Sequence, residues 1–189
     1  MNISAFDQTN KFVFYLQKFK NSGVIQYDQA QLASKKTCII IDTKRSFEVI
    51  SIPLYAYQIF PKNIMTHFTQ WAHEEREMKE GDTVVQQIFI PPFKALSQKI
   101  ICGVRIKEII SEPNRKGFSY ETLLGHVEKG ISIFTLEKIG TEVFFVIETF
   151  SAPANLLAKW LKHVFSLPYQ AYCTKKALQY LKRNIEMLG

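Results

Sequence analysis

Residues 97–150, SQKIICGVRIKEIISEPNRKGFSYETLLGHVEKGISIFTLEKIGTEVFFVIETF, decide the fold class of this chain. From about residue 80 onward the apolar residues recur at every second position, the spacing of strands whose side chains alternate between two faces. Five strands are expected, at 82–90, 97–111, 116–125, 130–138 and 142–150. The segments between them, PPFKAL, EPNR, HVEK and the IGT around Gly140, are short and of turn composition. Strands joined in this way pair antiparallel.

Downstream, residues 155–188 follow a helical period, apart from Pro168, which must start, kink or break the helix. Ala171, Thr174, Leu178, Leu181, Ile185 and Leu188 fall within an arc of about 100°, one core-facing stripe. Lys176 and Arg183 project opposite it, and Lys175 and Lys182 flank it. A sheet with an apolar inner face must cover that face, and the terminal helix is the available cover.

Upstream, Phe12, Leu16 and Phe19 share a face of a helix expected over 9–20, with Gly23 beyond its end. A polar loop follows, then a buried strand at 37–42 (TCIIID) and a second strand at 46–52 (SFEVISI) with apolar residues on both faces. Residues 63–76 read as a helix carrying Ile64, Phe68 and Trp71 on one face, with Pro61 near its first turn. The fold class is therefore α+β: an antiparallel curved sheet wrapped around a long C-terminal helix, with room for a cavity between them. Residues 1–45 form an N-terminal extension, a helix plus a strand, packed on a domain spanning 46–189.

The chain has 189 residues, enough for one domain with a buried core, and 47% hydrophobic against 22% charged residues excludes the disordered classes. Its formal charge is +7, yet residues 1–152 contribute only +2 (18 basic, 16 acidic) and residues 153–189 contribute +5 (6 basic, 1 acidic). Most of the excess thus belongs to the outside of a helix whose other face covers the sheet. Three widely spaced cysteines, Cys38, Cys102 and Cys173, form no disulfide framework or zinc pair. With no basic-then-apolar leader pattern and no apolar run of the roughly 18–20 residues needed to span a bilayer, a cytoplasmic location is expected.

The stretch Gly117–Gly130 resembles an uncharacterised bacterial and plant family with the signature G-F-x-Y-G-T-L-P-G-H-P-E-x-G. Gly117, Phe118, Tyr120, Thr122, Leu123, Gly125, His126, Glu128 and Gly130 match it. Trp71, Gly81, Arg105, Pro113 and the Phe150–Ala154 run fit the wider pattern, so the resemblance covers about residues 46–185. Glu121 stands where the family has glycine, Leu124 and Val127 replace prolines, and Ile131 and Ser132 replace two glutamates. The resemblance implies a START-like helix-grip fold, a superfamily that ranges from lipid carriers and receptors to cyclases and non-catalytic adaptors. Fold alone does not choose among these.

Phe118, Tyr120 and Thr122 share one face of their strand and suit a cavity wall that combines apolar volume with orienting hydroxyls. They equally suit a core in which the hydroxyls bond nearby backbone. His126 and Glu128 fall at a hairpin tip or shoulder, where the carboxylate could orient the imidazole and raise its pKa, or where both could fix the turn. Glu148, facing the apolar side of its strand, needs a partner, for which Arg105 is the candidate, as a structural salt bridge or a ligand clamp. No phosphate loop, nucleophile elbow or H-E-x-x-H motif occurs, and neither cofactor nor metal is expected.

The favoured function is binding of a small apolar or amphipathic molecule between sheet and C-terminal helix. An enzyme of the cyclase, hydrolase or isomerase type would instead use Tyr120, His126 and Glu128 on such a ligand. A third reading docks the basic terminal helix on nucleic acid or an anionic membrane, although nucleic acid is not the expected partner.

Overall fold

A computed structural model describes residues 2–90, 97–154 and 156–188, with residues 156–170 described as backbone. Among these residues eight strands form one antiparallel sheet: β1 Asn2–Ser4, β2 Ala33–Ile41, β3 Met65–Thr69, β4 Thr83–Ile90, β5 Gln98–Glu112, β6 Arg115–Thr122, β7 Glu128–Ile139 and β8 Glu142–Pro153. Among the described residues four α-helices accompany it: α1 Phe12–Lys20, α2 Phe47–Tyr55, α3 Gln70–His73 and α4 Leu156–Glu186.

The sheet runs β2-β8-β7-β6-β5-β4-β3, and β1 pairs with β5 off this path. Strands β4 to β8 are the meander expected from the alternating pattern, each antiparallel to the next. Lys107 interrupts the register between Ile106 and Glu108, a bulge that bends the long strand β5. The expected connection at 91–96 lies outside the described residues.

Two glycines of the central motif are required by close strand approach. A Cβ on Gly117 would stand 2.0 Å from the Phe134 carbonyl oxygen, and one on Gly130 would stand 1.9 Å from that of Phe150.

Helix α4 covers the inner face of the sheet. Ala177, Leu178, Leu181 and Ile185 join the core formed with Phe145 and Ile147 of β8 and Leu136 of β7. The expected stripe holds in its middle, whereas Ala171 and Leu188 at its ends are exposed. The helix spans position 168, but the kink or break expected at that proline falls among residues described as backbone. Helix α1 packs on the opposite, outer face, where Phe12, Leu16 and Phe19 meet Val85, Ile101 and Leu123.

Two elements differ from expectation. Residues 47–55 are helix α2 and not the strand read from their β-branched composition. Ser46 caps the helix by accepting the Val49 N–H, and Phe47, Ile50 and Leu54 bury a stripe at helical spacing. Capping and packing outweigh the weak β preference of Val49, Ile50 and Ile52. Conversely, 63–76 is not one helix: Met65–Thr69 pairs with β4 as an edge strand, and only Gln70–His73 is helical. The three apolar residues at helical spacing coincide there with a Thr- and aromatic-rich run that completes the sheet.

Strand β2 begins four residues before the expected start because its polar, exposed ASKK segment also pairs with β8 at the sheet edge. Lysines at such an edge discourage pairing with other chains.

Candidate functional site

The strand β4 sequence VVQQIFI places two amides in a strand that is otherwise apolar. Both are buried, Gln86 at 1% exposure on the inner face and Gln87 at 0% on the outer. Buried amides require partners. Gln87 finds them in the N-terminal segment and on β3, accepting from the Gln8 N–H at 2.8 Å and donating to Asp7 and to Thr66.

Gln86 finds its partner in Tyr57: Nε2 donates to the Tyr57 hydroxyl oxygen at 2.7 Å. Across the β4–β5 register from Gln86, the Cys102 thiol points at Oε1, 3.7 Å away.

Tyr57 sits just beyond α2 with φ +59°, a left-handed conformation that is costly for a bulky side chain. That turn drives its ring into the core, 5.7 Å from Phe118, 6.2 Å from Trp71 and 5.0 Å from His67. Tyr120 closes the group, with its ring 6.4 Å from Tyr57 and 5.4 Å from Phe134. The Tyr120 hydroxyl neighbours Ser132, Gln86 and the Tyr57 hydroxyl. Hydroxyls and an amide therefore converge inside an aromatic wall.

Burial keeps these groups uncharged. It holds the Tyr57 hydroxyl well above its ordinary range and pushes Tyr120 up to about 12. It also raises the Cys102 thiol, with the Glu128 carboxylate adding to the effect. His67 is driven down to about 4, by burial first and by Lys62 second, so its ring is neutral at pH 7. The cluster offers neutral donors and acceptors.

The residues singled out in the sequence have diverse fates. Phe118 and Tyr120 belong to the aromatic wall. Thr122 accepts the Gly130 N–H at 3.1 Å and ties β6 to β7. The His126 ring is buried, and its Nδ1 lies 3.0 Å from both the backbone nitrogen and the carbonyl oxygen of Glu128. Burial lowers the His126 pKa to about 4, opposite to the rise expected from a neighbouring carboxylate. The Glu128 carboxylate acts instead on Tyr120 and Cys102, raising the pKa of each.

Arg105 and Glu148 do not meet. Both point to the outer face, but they stand on strands separated by three interstrand spacings, about 14 Å. Arg105 Nη2 donates to the Phe19 and Lys20 carbonyl oxygens at 2.9 and 3.0 Å, capping the C-terminus of α1. Glu148 lies opposite Lys36 and Ile133 in the register.

Tyr57, His67, Gln86, Cys102 and Ser132 were not among the residues expected at the site. Tyr57 and His67 lie in the stretch whose elements were misassigned. Gln86 did carry a legible signal, the paired amides within an apolar strand.

On the outer surface, Glu121 accepts from the Tyr27 hydroxyl at 2.5 Å and from Lys107 Nζ at 2.9 Å. These residues border a groove of about 400 Å³ formed with residues 24–29. Among the described residues, no cluster of His, Cys, Asp and Glu could hold a metal ion. No described helix is long and apolar enough to cross a membrane.

Several solved structures share the fold at low identity. The KanY protein, solved by solution NMR, superposes with a TM-score of 0.55 at 12% identity, over 82% of this chain and 98% of its own. A protein from Arthrobacter aurescens gives 0.55 at 9% identity, over 86% and 90%. A hypothetical protein from Helicobacter pylori gives 0.51 at 11%, over 88% and 96%. No curated protein matches the sequence. A family profile described as Domain of unknown function (DUF1990) matches residues 33–180.

Proposed function

The chain belongs to the DUF1990 family, and from that premise we propose that it is a START-like helix-grip protein whose inner sheet face binds a small amphipathic molecule. The strand order supports the fold assignment, because it brings β2 beside β8 and the terminal helix packs on those two strands. A sheet wrapped around one helix needs this adjacency. Residues 46–189 are the proposed domain and the segment before them is its extension, although β2 is shared with the main sheet.

The observation that carries the binding reading is the buried polar cluster of Tyr57, Gln86 and Tyr120 within an aromatic wall. An apolar surface with a few convergent polar groups is the usual makeup of a small-molecule site. Gln86 and the two tyrosine hydroxyls would orient a ligand's uncharged polar group, while Phe118 and Phe134 would receive its apolar part. Thr122 and His126 support the wall by fixing the β6–β7 turn, and Glu128 borders the polar end.

Trp71 reports on this site because its ring lies against Tyr57. In a Trp160→Phe background, titration with a neutral monoacylglycerol should change Trp71 emission saturably. A linear change, or none, contradicts the reading.

A further inference from the structure

Residues 2–14 leave four large apolar side chains in water: Ile3, Phe6, Val13 and Phe14, with Phe6 at 78% and Phe14 at 65% exposure. Helix α1 has already satisfied its core requirement through Phe12, Leu16 and Phe19. On a helical wheel Phe14 therefore stands nearly opposite the buried stripe, with Lys11 and Lys18 on one side of it and Gln17 on the other. All three of those polar neighbours are exposed. The helix contains no acidic residue, and its other lysine, Lys20, is held by Glu74 at 3.1 Å.

An outward aromatic flanked on one side by exposed lysines is a poor face for water and a good one for an interface with an apolar interior and an anionic rim. We propose that the N-terminal segment docks on an anionic phospholipid bilayer, with Phe14 on the outer face of α1 and the exposed Phe6 ahead of that helix as its inserting side chains and Lys11 and Lys18 as its charge contacts. Helices lie at such interfaces with aromatics buried in the headgroup region and lysines beside them. The docking is of one short helix whose other side stays packed on the sheet. It is reversible and strengthened by negative lipid charge.

The patch lies before residue 33, outside the family match, and on the opposite face of the sheet from α4. The site thus differs from the basic C-terminal helix to which overall charge draws attention.

The test is co-sedimentation of the full chain with phosphatidylcholine vesicles, with and without phosphatidylserine. Binding to the phosphatidylserine vesicles, weakened by salt and absent without the anionic lipid, is expected. Lys11→Gln/Lys18→Gln should weaken it roughly thirtyfold, two surface lysines' worth of attraction. Phe6→Ser/Phe14→Ser should weaken it at least about tenfold through lost apolar burial. These side chains are exposed, so the variants should fold, and far-ultraviolet circular dichroism checks this. Lys175→Gln/Arg183→Gln, on α4, should bind as wild type does.

Failure to sediment with phosphatidylserine vesicles overturns the proposal, as does wild-type affinity in the phenylalanine variant. So does loss of binding in the α4 variant alone, which would move the contact to that helix.

Discussion

Gln86 Nε2 donates to the Tyr57 hydroxyl oxygen across 2.7 Å, joining the centre of β4 to the turn that follows α2. Both residues are essentially solvent-free. The bond explains why a bulky tyrosine is kept at positive φ, since the ring and hydroxyl are fixed by the sheet that they help to cover.

Removing one partner should expose that dependence. Tyr57→Phe leaves a buried amide without its acceptor and should cost about 1–3 kcal/mol. Gln86→Leu should cost a similar amount, and the double variant should lose less than the sum of the two. Urea denaturation of the four proteins checks this. Full additivity would mean that the pair is not energetically coupled.

The motif glycines are a steric requirement. Gly117→Ala or Gly130→Ala forces the neighbouring strand away from a backbone oxygen and should destabilise by more than about 4 kcal/mol. Thermal unfolding would reveal a folded but much weakened protein, or none at all.

His67 and His126 make stability depend on pH. Each has a folded pKa of about 4, below the ordinary value of about 6.5, so the unfolded chain binds more protons between these limits. Stability is full above about pH 6.5 and falls as pH drops towards 4, by on the order of 3 kcal/mol per histidine. Urea midpoints at pH 7.5 and pH 5 should differ in wild type. The difference should shrink in His126→Gln and shrink further when His67→Gln is added.

Arg105 anchors α1 and is not expected to contact ligand. Arg105→Met should cost about 1–3 kcal/mol by uncapping the Phe19 and Lys20 carbonyls. Faster amide exchange should be concentrated in Phe12–Lys20, and monoacylglycerol affinity should be unchanged.

How the fold was legible follows from which forces set each element. The meander β4 to β8 could be read because its alternation reports burial directly, and the C-terminal stripe could be read for the same reason. The stretch from Ser46 to His73 misled because local composition opposed the outcome. There, a single cap and an apolar stripe made a helix of β-branched residues, and demand for a strand beside β4 made an edge of a helical-looking run. The site was legible only in part. Phe118 and Tyr120 were found because their strand was assigned correctly. Tyr57 escaped because its position depends on a turn that no periodicity encodes. Arg105 and Glu148 were paired by complementary charge, but the strand order keeps them three strands apart.

The most direct test of ligand binding at the inner face is native mass spectrometry of the protein purified without detergent and incubated with monoacylglycerol, compared with Tyr120→Phe treated identically. A one-to-one adduct is expected on the wild-type protein, strongly depleted in the variant while the variant stays folded. An adduct of equal abundance on both proteins, or a bare polypeptide in the wild type, would contradict it.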